Sequence, residues 1–325
     1  MKLEPDSDKY KRECTEHGLD RKVFKVYSGI LYDCFDRCLS PQENRIPMPL
    51  IGIMERQINS GLESWEITGF DSFDFVGYRG DEVKLIKGLD VLKLFKEQKL
   101  NRTGRVSEED YSGLICLNLD RREYILNRQL RNREEILNHR FWTWATFDDK
   151  SFLKTYVEKR VEQFRKFYQT NLDELMGVYV SEENESPILR ALCVDGLVYG
   201  SRLCGGFRLG SGSWRLVGLA PEALKLPSYA ELNRVMKPYV DAYYNLFPDR
   251  DGNDVVSMEV DNKVKIIGNV PGKRFDIEIA PSDELVISES DLTRVLDNAL
   301  TSISDSEKDR ILKAYRCGLN GIKNG

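Results

Sequence analysis

The sequence predicts an α+β fold. We expect a helical N-terminal and central section around two long helices, followed by antiparallel β hairpins, a β meander and a C-terminal helix pair. Two long helical patterns follow each other between residues 120 and 176. After residue 187 the chain changes to glycine-punctuated runs of β-branched and aromatic residues, which are typical of strands joined by short turns. Helices and strands come in runs and not in strict alternation, which favours α+β over α/β.

A chain of 325 residues with 41% hydrophobic content is long enough for two domains or for one large domain. The polar, proline-terminated stretch SEENESP predicts a boundary between a mixed, mainly helical domain over residues 1–180 and a domain of antiparallel β plus helices over residues 187–325. One integrated domain is the alternative.

Composition also predicts where the protein works. No apolar run approaches the roughly 18 to 20 residues that span a bilayer, and the charged N-terminus has no hydrophobic segment behind it. Seven irregularly spaced cysteines fit a reducing compartment. We therefore expect a cytoplasmic protein without a membrane among its partners.

The first third of the chain predicts alternating elements. An apolar stripe over residues 23–38 predicts one amphipathic helix, and residues 51–58 predict a short helix that closes near Gly61. Residues 64–87 predict strands with a tight turn at Gly80-Asp81, after which residues 88–99 return to helix. Ser107 with Asp110 predicts another helix start. Residues 113–119 fit a strand or a helix equally well.

The central section carries the two long helices. An apolar stripe on the first helix is formed by Leu126, Leu130, Leu137 and Phe141. Its other face is basic and carries Arg121, Arg122, Arg128, Arg131 and Arg140. Thr146 followed by Asp149 predicts the start of the second helix, whose apolar positions recur at helical spacing until Leu175. That stripe, over residues 152–176, leaves a homodimer open.

The last third predicts two hairpins, a helix and a meander. Asp195-Gly196 indicates a two-residue hairpin turn, and residues 206–219 indicate a second hairpin. Ser228 with Glu231 indicates a helix start, and we expect Pro238 to kink or restart that helix. Three alternating strands follow to residue 280, and capping signatures at Ser288 and Ser304 indicate the final helix pair.

Charge is distributed unevenly along the chain. The net charge is −5, but residues 84–140 are rich in Lys and Arg, whereas residues 241–309 are rich in Asp and Glu. Arginine forms bidentate hydrogen bonds with phosphate, and a basic helix face is typical of polyanion binding. Our first hypothesis is an interaction protein without an organic cofactor, which contacts a nucleic acid or an acidic partner through the basic central helix.

A second hypothesis, a nuclease, comes from Arg133 and His139, which have five residues between them. This spacing resembles the short motif of HEPN-type ribonucleases. The resemblance implies that His139 activates a ribose 2′-hydroxyl while Arg133 holds the phosphate. The residue types fit, since arginine keeps its charge and histidine titrates near neutral pH. Glu134 stands where many members of that family carry a neutral polar residue.

Asp74, Glu82 and Lys84 are similar to the acid, acid-x-lysine core of restriction-type metal nucleases. A two-residue turn at Gly80-Asp81 would place Asp74 on the same face as Lys87 and would turn Glu82 and Lys84 to the other face. Because one Mg²⁺ needs converging carboxylates, this register argues against a shared metal.

A structural zinc site is a further alternative. Cys14 and His17 have two residues between them, and Cys34 and Cys38 are one helical turn apart. Four such ligands can hold one tetrahedral zinc ion. The alternative is that the two helical cysteines pack as small hydrophobic side chains, since they belong to the apolar stripe.

Overall fold

The computed structural model describes residues 23–119, 133–170, 175–179, 184–247, 256–260, 263–270 and 273–279. Its main feature is a large mixed β-sheet of nine strands, with helices packed against it. The predicted fold class, a helical half followed by a β half, is therefore wrong.

The sheet is built from strands of both halves of the chain. Their bounds are β1 Phe24–Ile30, β2 Ile46–Pro47, β3 Phe70–Gly80, β4 Glu82–Ile86, β5 Cys116–Leu119, β6 Val178–Tyr179, β7 Asn184–Val194, β8 Leu203–Arg208 and β9 Gly212–Leu219. The strand order is β1-β9-β3-β7-β8-β6, with β2 on β9, β4 on β3 and β5 on β4. The pairs β3–β9 and β6–β8 are parallel and the others are antiparallel, which makes the sheet mixed.

A separate three-stranded antiparallel sheet follows. It consists of β10 Val256–Val260, β11 Lys263–Val270 and β12 Lys273–Ile279 in sequential order. This confirms the predicted meander. The predicted helices after it lie outside the described residues.

The described helices connect the strands of the large sheet. Their bounds are α1 Leu31–Cys38, α2 Leu50–Asn59, α3 Glu63–Ile67, α4 Gly88–Lys96, α5 Glu108–Ser112, α6 Arg133–Leu137, α7 Arg140–Ala145, α8 Lys150–Tyr168 and α9 Ala230–Leu246. Short 3-10 turns occupy Leu197–Tyr199, Glu222–Lys225 and Pro227–Tyr229.

The class prediction failed because distant strands pair. β1 runs antiparallel to β9 from Phe24 opposite Leu219 to Ile30 opposite Gly212. Likewise β3 pairs with β7 across the domain boundary predicted near residue 187. Both faces of β3 are covered, since Phe70 to Tyr78 are all buried. The sequence predicts a strand over these residues, but nothing near them indicates that β7 and β9 are their neighbours.

Local corrections follow the same cause. The predicted helix over residues 23–38 is strand β1 followed by α1, because Phe24 and Val26 are buried beside the residues of the predicted stripe.

The predicted two-residue turn at Asp195-Gly196 is a longer loop, closed by a hydrogen bond from Asp195 N–H to Arg202 O at 2.8 Å. Gly196 permits close packing, because a Cβ there would lie 2.1 Å from the Ile67 backbone. The predicted hairpin over residues 206–219 is absent, since β8 pairs with β7 and β6, whereas β9 pairs with β1, β2 and β3.

Several predicted helices are confirmed. α2 and α4 lie where residues 51–58 and 88–99 predicted them. The Ser107 hydroxyl caps α5 by accepting the Asp110 N–H at 3.0 Å. α9 begins at Ala230 and runs through Pro238, although Tyr229 and not Ser228 is its N-cap. The undecided residues 113–119 contain strand β5.

Candidate functional site: the exposed face of helix α8

Helix α8 presents the candidate site, and its start is set by one side chain. Asp149 is the N-cap, and its carboxylate accepts the Phe152 N–H at 2.9 Å. The second long helix is thus present, but Asp149 and not Thr146 is its N-cap, since Thr146 ends the preceding helix α7. The helix ends earlier than predicted, at Tyr168, because Gln169 adopts a left-handed conformation with φ 51°.

The inner face of α8 packs within the same chain. Its buried apolar side chains are Phe152, Leu153, Tyr156, Val157 and Val161. Most of the stripe that suggested a homodimer is therefore occupied by the protein's own core. What remains for a partner is the opposite, exposed face.

A buried arginine fixes the position of α8. Arg160 has no exposed surface and makes four hydrogen bonds to neutral acceptors. Its Nε and Nη2 donate to Ser201 Oγ at 3.0 and 2.6 Å, Nη2 donates to Glu66 O at 3.0 Å, and Nη1 donates to Gln163 Oε1 at 2.9 Å. Burial lowers the pKa of Arg160. The guanidinium thus joins α8 to the end of α3 and to the loop before β8.

The exposed face of α8 and helix α6 form a surface groove of about 260 Å³. Arg133 lines the groove from α6, and the remaining lining comes from α8 and consists of Glu158, Val161, Glu162 and Arg165. Arg133 Nη2 forms an ion pair with Glu158 Oε1, and both side chains are roughly half exposed. The predicted catalytic arginine therefore lies at a surface groove, next to a carboxylate.

The second predicted catalytic residue has a structural contact. His139 is the N-cap of α7, and its Nδ1 accepts the Phe141 N–H at 3.3 Å. α6 and α7 are separate helices on either side of Asn138 and His139. Arg133 and His139 thus contact different partners, and no described contact joins them.

Of the predicted basic helix face, the described residues include only Arg140. It is exposed, and its Nη2 donates to Asn118 O at 3.4 Å. Arg121, Arg122, Arg128 and Arg131 lie outside the described residues.

Exposed aromatic residues continue the surface beyond the groove. Phe167, Tyr168, Val198 and Tyr199 are between 41% and 52% exposed. The Tyr168 hydroxyl donates to Val198 O at 3.1 Å, which joins the end of α8 to the 197–199 turn. We call these four residues the aromatic platform. Sequence reasoning placed Tyr168 in the core stripe and missed the platform, because the register at a helix end depends on where the helix stops.

The β3–β4 hairpin confirms the predicted register. Arg79 pairs with Glu82 and Gly77 with Lys84, so Gly80-Asp81 is a two-residue turn. Asp74 and Glu82 therefore lie on opposite faces of the hairpin, as predicted. Glu82 forms an ion pair with Arg79 at 2.7 Å, and Lys84 Nζ lies 4.4 Å from the centre of the Tyr111 ring. These contacts are structural and do not assemble a metal site with Asp74.

Asp74 instead joins three helices and one strand. Its carboxylate accepts the Leu50 N–H at the start of α2 and the Gly88 N–H at the start of α4, each at 2.9 Å. The Tyr239 hydroxyl of α9 donates to the same carboxylate. Sequence reasoning named Asp74 but did not find this role. The signal available was an acidic residue between two phenylalanines in an aromatic-rich strand, which also contains Asp71.

Lys87 lies beside this junction in an aromatic environment. Its Nζ donates to Ala145 O at 3.1 Å and lies 3.9 Å from the Trp144 ring centre and 4.2 Å from the Phe147 ring centre. The side chain is 7% exposed, and burial lowers the pKa of Lys87 to about 8, opposed by Asp74. Burial and the Asp74 charge raise the pKa of nearby Asp90 to about 6. Lys87 thus contacts elements of the core, which gives it a structural role.

The predicted zinc ligands divide between described and undescribed residues. Cys34 and Cys38 are buried in the core, and burial raises the pKa of the Cys34 thiol to about 12 and raises that of Cys38. Both side chains pack in the hydrophobic core, which fits the alternative that they act as small hydrophobic residues. Cys14 and His17 lie outside the described residues. Within the described ranges, no group of three or more His, Cys, Asp or Glu side chains is arranged to hold a metal ion.

Among the helices that the structure describes, none is long and apolar enough to cross a membrane.

Comparison with known proteins gives a distant structural likeness and no family. No family model matches the sequence, and no curated protein matches it. A solved structure described in the words "Accommodation of massive sequence variation in Nanoarchaeota by the C-type lectin fold" is similar to this chain, with a TM-score of 0.43 and 14% sequence identity. The match covers 62% of this chain and 99% of that one.

Proposed function

We propose that this protein is an interaction protein that binds a nucleic acid through basic residues between 121 and 140 and through the exposed face of α8. The observation that carries the proposal is the surface groove that Arg133 and Arg165 line together with Glu158 and Glu162. It places Arg133 of α6 at the same groove as the exposed Arg165 of α8.

Charge supports a polyanion as the partner. Residues 121–170 contain twelve Lys and Arg against seven Asp and Glu, a net charge of +5 in a chain whose total is −5. Within the described part of this segment, Arg133, Arg140, Arg165 and Lys166 are exposed. A local excess of positive charge on an acidic protein attracts polyanions to one side of the molecule.

The aromatic platform supports a nucleic acid over an acidic protein. It follows Arg165 and Lys166 directly on α8. Neighbouring cations and exposed rings are the combination with which proteins hold phosphates and bases together. An acidic partner protein would use the same cations, so it is the competing outcome of the test.

The test is binding of fluorescently labelled RNA and DNA, measured by anisotropy across a salt series. We expect affinity to fall steeply with salt, because each phosphate contact releases counterions. The variant Arg140→Glu/Arg165→Glu should bind at least tenfold more weakly at low salt while its melting temperature stays close to that of the wild type. The variant Arg128→Glu/Arg131→Glu tests in the same way two basic residues that lie outside the described ranges.

A matched control carries the same change in net charge elsewhere. Lys93 and Lys237 are exposed, at 64% and 72% of their side chains, on α4 and α9. Lys93→Glu/Lys237→Glu should bind like the wild type, apart from a small general effect of net charge. Equal affinity of Arg140→Glu/Arg165→Glu and of this control would contradict the proposal.

Nuclease activity through Arg133 and His139 is the alternative function. The same reactions, with and without Mg²⁺ and followed on a denaturing gel, measure cleavage directly. Cleavage that His139→Ala removes while binding stays intact would establish this alternative.

A further inference from the structure

The aromatic platform at the end of α8 lies outside the hydrophobic core. In the described part of the chain seven large apolar side chains are exposed, and four of them are the platform residues. Scattered exposed apolar residues are ordinary on protein surfaces, whereas a contiguous group marks an interaction site. The platform therefore calls for a partner.

The rings are held in place by defined contacts. The Phe164 and Phe167 ring centres lie 4.7 and 4.9 Å from that of Tyr168, and the Tyr168 hydroxyl is bound to the 197–199 turn. The chain reverses after each part of the platform, with left-handed Gln169 after α8 and left-handed Gly200 and Ser201 after the turn. Ordered rings lose little conformational freedom when a ligand stacks on them.

Cations lie on both sides of the rings. Arg165 and Lys166 occupy the last turn of α8 before Phe167. On the other side, the Arg202 guanidinium lies 5.5 Å from the centre of the Tyr199 ring and is paired with Asp195 at 3.2 Å. The groove that Arg133 and Arg165 line also carries Glu158 and Glu162, and along α8 it ends at Arg165, just before the platform. The cations nearest the rings in the chain are thus Arg165, Lys166 and Arg202.

We infer that the partner is a single-stranded nucleic acid, whose bases stack on Phe167, Tyr168 and Tyr199 while its backbone follows Arg165, Lys166 and Arg202. This inference rests on the proposed function and deepens it. Bases in a duplex are stacked on each other and do not offer their faces to a protein. Unpaired bases do, and stacking on aromatic side chains tolerates any sequence.

The experiment compares four labelled probes of equal charge. Two are single strands with the same number of phosphates, one of mixed sequence and one abasic. The others are a duplex with half as many base pairs as the single strand has nucleotides, and polyglutamate. We expect the base-containing single strand to bind at least tenfold more tightly than the abasic strand. The duplex and polyglutamate should resemble the abasic strand, because these probes carry charge without available bases.

Variants locate the effect on the rings. Phe167→Leu and Tyr199→Leu keep apolar volume and remove the π face, so each should weaken single-strand binding on the order of tenfold and leave abasic binding unchanged. Tyr199→Phe keeps the ring and should bind like the wild type. Ile115→Ala, at an exposed apolar position in the turn before β5, is the control for loss of surface hydrophobicity.

The outcomes separate this inference from the function on which it rests. Salt-dependent binding that is equal for base-containing and abasic strands, or that is unchanged in both leucine variants, overturns the inference and leaves the polyanion-binding function in place. Absence of binding to any nucleic acid overturns both. Preference for polyglutamate over every nucleic acid assigns the surface to an acidic protein and also overturns both.

Discussion

The hydroxyl of Tyr239 on α9 donates a hydrogen bond to the carboxylate of Asp74 on β3, and both side chains are fully buried. Since the same carboxylate accepts the first N–H groups of α2 and α4, one side chain sets the position of three helices on the sheet. The helix N-termini also favour a negative charge there. The site on α8 depends on this arrangement only indirectly, so it can be perturbed separately.

We predict that Asp74→Ala destabilises the protein by roughly 3–5 kcal/mol, because it leaves three buried donors without an acceptor at about 1–3 kcal/mol each before relaxation. Tyr239→Phe removes one donor and should cost about 1–2 kcal/mol. Urea unfolding measures both. Asp36→Asn, at an exposed position of α1, should change the free energy of unfolding by close to zero. If Asp74→Ala cost no more than Asp36→Asn, the junction would have no structural importance.

Arg160 is a buried cation with neutral acceptors, which leads to an unusual order of effects. Arg160→Lys should cost about 2–4 kcal/mol, because a lysine keeps the buried charge but cannot reach all three acceptor groups. Arg160→Met should cost less, since it removes the charge that is expensive to bury. Thermal and urea unfolding give the order, and Lys154→Met on the exposed face of α8 is the control. The opposite order would mean that the charge itself stabilises the fold.

The buried Lys87 makes stability depend on pH. Its pKa is about 8 in the folded protein, against an ordinary value of 10.5. Between these values the unfolded chain binds more protons than the folded protein, so Lys87 makes stability rise with pH, by at most about 1.4 kcal/mol per pH unit. The difference in unfolding free energy between wild type and Lys87→Met should therefore shift in favour of the wild type from pH 8 to 10. A difference that does not change with pH would contradict this prediction.

Glu158 competes with a polyanion for Arg133. Because Glu158 forms an ion pair with Arg133 at the groove, Glu158→Gln should free that arginine, remove one negative charge and raise nucleic-acid affinity several-fold at low salt. Asp241→Asn removes one exposed carboxylate of α9 and serves as the control. Anisotropy with the single-stranded probe measures both. Unchanged or weaker binding by Glu158→Gln alone would exclude the groove from the binding surface.

The sequence predicted the features that are determined by neighbouring residues. The Ser107 cap and the tight turn between Arg79 and Glu82 depend on a few consecutive residues, and both are present, whereas the cap predicted at Thr146 lies at Asp149. That turn also correctly separated Asp74 from Glu82.

Features that depend on distant partners could not be predicted. Residues 24–30 form a strand because β9 pairs with them, although their apolar spacing also fits a helix. The acceptors of Arg160 come from α3 and from the loop before β8, and nothing near Arg160 in the sequence indicates them. The aromatic platform likewise depends on the turn at residues 197–199 reaching the end of α8.

The pairing of β1 with β9 also has a consequence for synthesis. Phe24 leaves the ribosome nearly 200 residues before its partner Leu219, an interval of about 10 to 40 s at the usual rates of translation. During that time the apolar residues of β1 have no strand to pair with, and an unpaired apolar strand tends to aggregate. The nascent chain therefore needs protection by a chaperone or by transient local structure until β9 emerges. A ribosome stalled just before residue 212 should hold a chain that is more sensitive to protease than one stalled well after residue 219.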